Sequence, residues 1–101
     1  MTPVLEKSDI EAAIGDVAPE YGIRKAYLFG SYARGEATPA SDVDVAVECE
    51  RPLGFARGAL FNALEQRLGR DVDIVFNIDS LYPFVRDSFE RERIVIYDCE
   101  D

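Results

Sequence analysis

The stretch LFGSYARGEATPASDVDVAVE, residues 28–48, is the most informative segment of the chain. It begins at the end of a short apolar run, residues 26–29, that is typical of a buried strand and stops at Gly30. Residues 30–41 are rich in turn-forming residues and have room for at most a short helical turn. Residues 42–48 alternate strictly, which predicts a second strand. Its core face is formed by Val43, Val45 and Val47, and its acidic face by Asp42, Asp44, Ala46 and Glu48.

Aspartate is depleted in strands, and yet Asp42 and Asp44 both lie in this one. Two residues along a strand are about 6.6 to 6.8 Å apart and share a face, so both carboxylates can converge on ions beside them. Such carboxylates repel each other unless they are protonated or neutralised by cations. An all-oxygen ligand set suits Mg²⁺ or Mn²⁺ rather than zinc. The alternative is an ordinary sheet face with solvated carboxylates.

A second alternating strand, residues 71–76, carries Asp71 and Asp73 on one face. If this strand pairs beside the first, one of its aspartates completes a three-carboxylate site for two metal ions. That arrangement is used for in-line phosphoryl or nucleotidyl transfer. Two acidic strands, the first of them preceded by a Gly-Ser turn, favour such a site over a solvated face.

The Gly-Ser turn after the first strand is a candidate phosphate site. Gly30 has no side chain, so backbone N–H groups and the hydroxyl of Ser31 can approach triphosphate oxygens closely. Arg34 follows near enough to offer its guanidinium to a phosphate. Alternatively, the turn is common strand-end chemistry and Arg34 forms a surface ion pair with one of the nearby acids. The position of Asp42 and Asp44, twelve and fourteen residues after Gly30, makes the spacing specific.

The periodicity of the remaining chain predicts helices before and after these strands. Ser8 and Glu11 indicate a capping box at the start of a first helix, which Pro19 and Gly22 end. Residues 55–68 predict a second helix, ended by Gly69.

The end of the chain predicts a third helix and a last strand. The helix spans residues 81–91, with Asp79 or Ser80 as N-cap, and the strand spans residues 94–97. One side of the helix carries Leu81, Phe84, Val85 and Phe89. Core packing is expected for Phe84, whereas Tyr82 could belong either to the core or to a partner surface. We predict a single α/β (α+β) domain over residues 1–101, a small mixed β-sheet with helices packed on it.

Composition excludes several classes of function. The 101 residues include 20 Asp plus Glu against 11 Lys plus Arg, a formal charge of −9, and no histidine. Such an acidic chain is a poor ligand for nucleic acid or an anionic membrane, and it cannot build a catalytic triad or zinc site that needs histidine. Without an apolar run near 20 residues or a leader, we expect a cytoplasmic protein. Cys49 and Cys99 are expected to be reduced, with raised thiol pKa values beside acidic residues.

Residues 28–48 strongly resemble the minimal nucleotidyltransferase (MNT) domain of the DNA polymerase β superfamily, whose pattern is a Gly-Ser turn, an Ala-Arg-Gly segment and Ser-Asp-x-Asp. GRDVDIVF, residues 69–76, matches the strand that carries the third carboxylate of that family. The resemblance covers essentially the whole chain and implies a polymerase-β-like fold.

The same resemblance implies roles for individual residues. Asp42 and Asp44 would bind two Mg²⁺ ions, and Asp73 would bind the catalytic ion and help to deprotonate the incoming hydroxyl. Gly30 and Ser31 would hold the β- and γ-phosphates of ATP. Asp71 is the rival third ligand, but Asp73 aligns with the family position and lies further into its strand.

Stand-alone chains of this size and pattern are similar to the antitoxins of HEPN/MNT toxin-antitoxin modules. This resemblance implies transfer of AMP from ATP to a tyrosine of a partner HEPN RNase toxin, which blocks the toxin. Two positions depart from the pattern. Tyr32 stands where relatives often carry Arg, which could alter nucleotide or partner contacts, and Glu92 with Arg93 replaces a usual Glu-Gly before the last strand.

Two other functions are compatible with an Asp-x-Asp strand. The haloacid dehalogenase type of phosphatase is set aside, because Asp42 starts its strand and Ala46 stands where that pattern needs Thr or Val. A non-catalytic module that neutralises its partner by binding alone stays open.

Overall fold

Helices and strands alternate along the chain in the computed structural model, which describes residues 4–78 and 81–99. In order, the elements are α1 (Lys7–Tyr21), β1 (Ile23–Phe29), α2 (Ser31–Arg34), β2 (Val43–Cys49), α3 (Ala56–Leu68), β3 (Val72–Val75), α4 (Pro83–Glu92) and β4 (Ile94–Asp98).

The four strands of the described residues form one mixed sheet in the order β3-β2-β1-β4. β1 pairs antiparallel with β2 and with β4, whereas β2 and β3 are parallel. A parallel pair needs a crossover connection, which α3 provides. The predicted class, a small mixed sheet with helices packed on it, is confirmed. β1 begins at Ile23, three residues before the predicted start of that strand.

The main core lies between one face of the sheet and the helices α1 and α3. It includes Ile10, Ile14 and Val17 of α1, Leu60 and Leu64 of α3, and Leu28, Val43, Val45, Val72 and Ile74 of the strands. The predicted core face of residues 42–48 is therefore confirmed, since Val43, Val45 and Val47 are all buried in this cluster. Burial of apolar surface of this kind is the main stabilising contribution to a fold.

The opposite face of the sheet is only partly acidic, which corrects the prediction for residues 42–48. Ala46, expected on the acidic face, is fully buried with Tyr27 and Phe89 in a second cluster. Phe89 of α4 makes edge-to-face contacts with Tyr27 at 5.7 Å and Phe29 at 5.2 Å between ring centroids. Each such contact contributes about 0.5 to 1.5 kcal/mol beyond area burial. α4 therefore covers the middle of this face.

The first helix begins two residues earlier than the predicted capping box at Ser8 allows. The N-cap is Glu6, whose backbone N–H donates to the carboxylate of Asp9 at 2.9 Å. Pro19 lies inside the helix rather than ending it, because the intrahelical bond that its missing N–H forfeits falls in the last turn. Gly22 ends the helix, as predicted, with a left-handed φ of 66°.

The fourth helix begins at Pro83 with Tyr82 as its N-cap, two residues after the predicted start. The predicted caps, Asp79 and Ser80, lie outside the described residues. Phe84 is 74% exposed and stacks on Tyr82, which corrects its expected core position. Phe84 lies five residues before Phe89, and at 3.6 residues per turn this separation places it roughly 140° around the helix from the buried ring.

Both cysteines are free thiols in the structure. Burial raises the pKa of the Cys49 thiol, and the nearby Arg57 lowers it less strongly. The expected direction for Cys49 is thus confirmed, although its cause is burial rather than neighbouring acids. Over residues 4–78 and 81–99, no helix has the length and apolar character that crossing a membrane requires.

Candidate active site

The parallel pairing of β2 with β3 brings two predicted site carboxylates together. The register places Val43 opposite Val72 and Asp44 opposite Asp73. The valines belong to the main core, so the aspartates lie side by side on the other face. Asp42, two residues before Asp44, shares that face. Asp42 and Asp73 are 31 residues apart in sequence, and the register brings them to the same sheet edge.

The carboxyl of Asp44 is influenced by the charges of both other acids. The pKa of its carboxyl is raised from 3.8 to about 6, first by burial and then by the negative charges of Asp73 and Asp42. Arg34 opposes this shift and lowers the pKa. Asp44 is half-buried, whereas Asp42 and Asp73 are exposed. The uncompensated charge at this point favours a proton or a cation.

Asp71 and Asp73 differ in their relation to Asp44. The backbone of Asp71 lies beside the start of β2, where its carbonyl accepts a hydrogen bond from the N–H of Val43 at 3.1 Å. Asp73 lies inside β3 and opposite Asp44. Among the described residues, Asp73 and Asp42 are the acids that raise the pKa of Asp44, and Asp71 is not one of them. This difference favours Asp73 as the third member of the site.

Gly30 brings the turn after β1 against this acidic group. Its backbone has φ 74° and ψ −154°, a region that is essentially limited to glycine. A Cβ at this position would collide with Oδ2 of Asp44 and lie 3.1 Å from its Cγ. Ser31, the next residue, begins α2 and is half-buried. The close approach of backbone and carboxylate therefore depends on a missing side chain.

Arg34 ends α2 and pairs with two carboxylates. Its Nε lies 3.2 Å from Oε2 of Glu36, and its Nη1 lies 3.1 Å from Oε2 of Glu92. Hydrogen bonds to these two residues raise the pKa of Arg34. The ion-pair alternative for Arg34 is thus present, yet its charge also acts on Asp44. Sequence reasoning did not identify Glu92 as a partner of Arg34. The available signal was an acidic residue at the C-terminal end of the last predicted helix.

Tyr32, which departs from the family pattern, forms hydrogen bonds that the sequence did not predict. Its hydroxyl accepts hydrogen bonds from Nη1 of Arg70 at 2.6 Å and from the backbone N–H of Leu5 at 3.4 Å. The ring packs against the main core. Tyr32 therefore connects α2 to the start of the chain and to the loop before β3.

The donor set fits a hard divalent cation in its chemistry, because Asp42, Asp44 and Asp73 offer carboxylate oxygens only. Within the described ranges, however, no three acidic or cysteine side chains are already gathered as a metal centre. The side chains therefore have to close around any ion that they bind.

Two surface cavities of about 380 and 390 Å³ lie toward the opposite end of β2 from the acids. Both are lined by Glu48 and Cys49, and the second also by Tyr27 and Arg93. These cavities are thus separated along β2 from the carboxylates of Asp42 and Asp44.

Residues 10–96 match the family model described as "Nucleotidyltransferase domain". This match covers most of the chain, and the chain belongs to that family. A relative from Methanocaldococcus jannaschii is 36% identical over 80 residues, which are 76% of this chain and 80% of the relative. That protein bears the name "putative protein adenylyltransferase".

Solved structures share this fold. One described as a minimal nucleotidyltransferase has a TM-score of 0.72 and 33% identity, over 89% of this chain and 95% of the other. A second, a toxin-antitoxin crystal structure with AMP-PNP, has a TM-score of 0.71 and 28% identity, over 95% of this chain and 76% of the other. The chain is thus a member of the nucleotidyltransferase family with the minimal form of its fold and a similarity to toxin-antitoxin proteins.

Proposed function

We propose that this protein is an antitoxin that transfers AMP from ATP to a tyrosine of a HEPN RNase toxin and so inactivates it. The observation that carries the proposal is the in-register pair Asp44 and Asp73, with Asp42 on the same face and the glycine turn against Asp44. The name of the M. jannaschii relative supports protein adenylylation. The toxin-antitoxin structure with AMP-PNP supports both the partner class and the nucleotide.

Each of the three carboxylates has a stated role in this proposal. Asp42 and Asp44 would hold two Mg²⁺ ions, for which Mn²⁺ can substitute, and Asp73 would bind one of them. When bound, these ions would neutralise charge on the phosphate oxygens and lower the pKa of the acceptor hydroxyl. The tyrosine oxygen forms a bond to the α-phosphorus, and the bond from that phosphorus to the leaving diphosphate breaks. Asp73 accepts the proton of the tyrosine hydroxyl.

The turn after β1 binds the nucleotide. Backbone N–H groups at Gly30 and Ser31, with the hydroxyl of Ser31, hold the β- and γ-phosphates. The guanidinium of Arg34 donates to the same triphosphate, so its five N–H donors are divided between the phosphates and its present carboxylate partners.

A separate macromolecule supplies the acceptor. The described cavities near Glu48 and Cys49 lie away from the acids, so they offer no acceptor pocket beside the reacting groups. The charge of −9 favours a basic protein over a polynucleotide as the partner. These features support the HEPN toxin rather than RNA or DNA as the acceptor.

The test uses the purified protein, its neighbour-encoded partner, Mg²⁺ and ATP labelled at the α-phosphate. We expect label on the partner, loss of labelling with EDTA, and a mass increase on a tyrosine-containing peptide. The non-catalytic alternative predicts a different outcome: no label reaches the partner, and the double variant Asp42→Ala with Asp44→Ala still protects cells. That pair of results would refute the enzymatic proposal.

A further inference from the structure

Glu92, the last residue of α4, contacts an arginine 58 residues away in sequence. Its Oε2 lies 3.1 Å from Nη1 of Arg34, and its side chain is less exposed (27%) than that of Arg34 (41%). The second partner of Arg34, Glu36, is two residues away and 66% exposed. Glu92 is thus the more enclosed of the two carboxylates that contact this guanidinium.

The position of Glu92 has no explanation within its own helix. A carboxylate at a helix C-terminus opposes the negative end of the helix macrodipole and costs a few tenths of a kcal/mol or more. The same end of α4 is anchored by Phe89, which is buried against Tyr27 and Phe29 of β1. Glu92 is therefore unfavourable for the stability of its own helix, whose end Phe89 holds in place. Its hydrogen-bonding partner, Arg34, belongs to a different element, α2.

Arg34 is held by α4 through Glu92 and acts electrostatically on the acidic group. Its positive charge acts on Asp44, and the two ion pairs use one N–H of Nε and one of Nη1. A guanidinium has five N–H donors. Three N–H donors of the guanidinium thus remain for a ligand beside Asp44 while Glu92 of α4 holds Arg34.

We propose that Glu92 is a positioning residue that holds the guanidinium of Arg34 in place for the triphosphate of ATP. The inference rests on the proposed function, since it assigns Arg34 to the nucleotide. The affinity for ATP increases because the side chain of Arg34 is already ordered before ATP binds, so that less conformational entropy is lost on binding. Charge alone predicts the opposite effect, because a carboxylate near a triphosphate repels it.

The test uses calorimetry to measure the affinity of the protein for AMP-PNP in the presence of Mg²⁺. The wild type is compared with the variants Glu92→Ala, Glu92→Gln and Arg34→Ala. Glu92→Ala should weaken binding roughly 2- to 10-fold, the range expected for one flexible side chain. Glu92→Gln should restore most of that loss, because its amide oxygen accepts the same hydrogen bond. In the Arg34→Ala background, Glu92→Ala should have no further effect.

Glu90→Ala is the matched control, because Glu90 is an exposed acid of the same helix that pairs with Arg86 and not with Arg34. It should leave affinity unchanged, and all variants should keep the melting temperature of the wild type within a few degrees. Equal or tighter binding by Glu92→Ala, or an equal loss with and without Arg34, would overturn the inference. A wild type that binds the analogue but never labels its partner refutes the proposed function alone, whereas one that binds no nucleotide refutes both.

Discussion

Asp44 and Asp73 lie directly opposite each other on the adjacent parallel strands β2 and β3. Like charges that face each other across neighbouring strands destabilise a sheet. Nothing in the packing of the core requires them, because the valines that alternate with them fill the other face. A stability cost without a packing gain is typical of a functional site.

The raised pKa of Asp44 predicts that Asp44→Asn stabilises the metal-free protein at neutral and alkaline pH. The pKa is 3.8 ordinarily and about 6 in the folded protein, so between these values the folded state binds more protons than the unfolded state. Stability therefore falls as pH rises from about 4 to 6 and stays reduced above that. The gain from the substitution should be about 1 kcal/mol at pH 8, once the half-exposed position of the carboxyl is discounted for screening.

Denaturant unfolding in EDTA at pH 4 and pH 8 checks this prediction. The difference between Asp44→Asn and the wild type should appear at pH 8 and nearly vanish at pH 4, while nucleotide transfer is lost. A variant that unfolds at pH 8 would instead show that Asp44 is structural.

Asp73→Asn should lower activity strongly, whereas Asp71→Asn should leave it nearly unchanged. Asp73 faces Asp44, whereas Asp71 contacts β2 through its backbone carbonyl, which the substitution leaves intact. Asp73→Asn should lower the rate of AMP transfer by about 100-fold or more, a loss usual for a group that stabilises the transition state. Asp71→Asn should stay within a few-fold of the wild type. Rate measurements that reverse this order would make Asp71 the third carboxylate.

Gly30→Ala should disable the site, and Gly35→Ala serves as its matched control. Both glycines have nearly the same φ, 74° and 73°. A Cβ at Gly30 collides with Asp44, whereas a Cβ at Gly35 meets nothing within 4 Å. Both variants should lose about 1 to 3 kcal/mol of stability to backbone strain. Only Gly30→Ala should also abolish transfer; equal activity of the two folded variants would contradict the role given to this contact.

Tyr32→Phe should reduce stability without changing the Michaelis constant for ATP. It removes a hydroxyl that accepts a 2.6 Å hydrogen bond from Arg70, and a hydrogen bond from a charged donor is worth about 1.5 to 3 kcal/mol. Chemical denaturation should show a loss of about 1 to 2 kcal/mol, against less than about 0.5 for the exposed control Tyr82→Phe. A raised Michaelis constant at unchanged stability would place Tyr32 with the nucleotide.

Alternation along single segments was sufficient to predict the strands β2 and β3 and the inward face of β2. Val43 and Val45 point inward because the side-chain period of a strand is two, and this needs no knowledge of neighbours. The boundaries were less predictable. The start of α1 depends on Glu6 and Asp9 closing a hydrogen bond, for which Ser8 and Glu11 were equally suitable candidates.

Relations between segments could not be predicted from the residues alone. The sequence indicates that Asp44 and Asp73 are on acidic strand faces, but only the register of β2 with β3 puts them opposite each other. Similarly, the burial of Ala46 and the exposure of Phe84 both follow from where α4 starts and which face it covers. No local pattern encodes that docking.

Within the part of the chain that the structure describes, β3 is four residues long and lies at an edge of the sheet, bonded to a strand on one side only. Its backbone amides should therefore exchange with solvent deuterium faster than those in the middle of β1, which has a partner strand on each side. Asp73, the third carboxylate of the proposed mechanism, is thus carried by a strand that we expect to open more readily than the middle of the sheet.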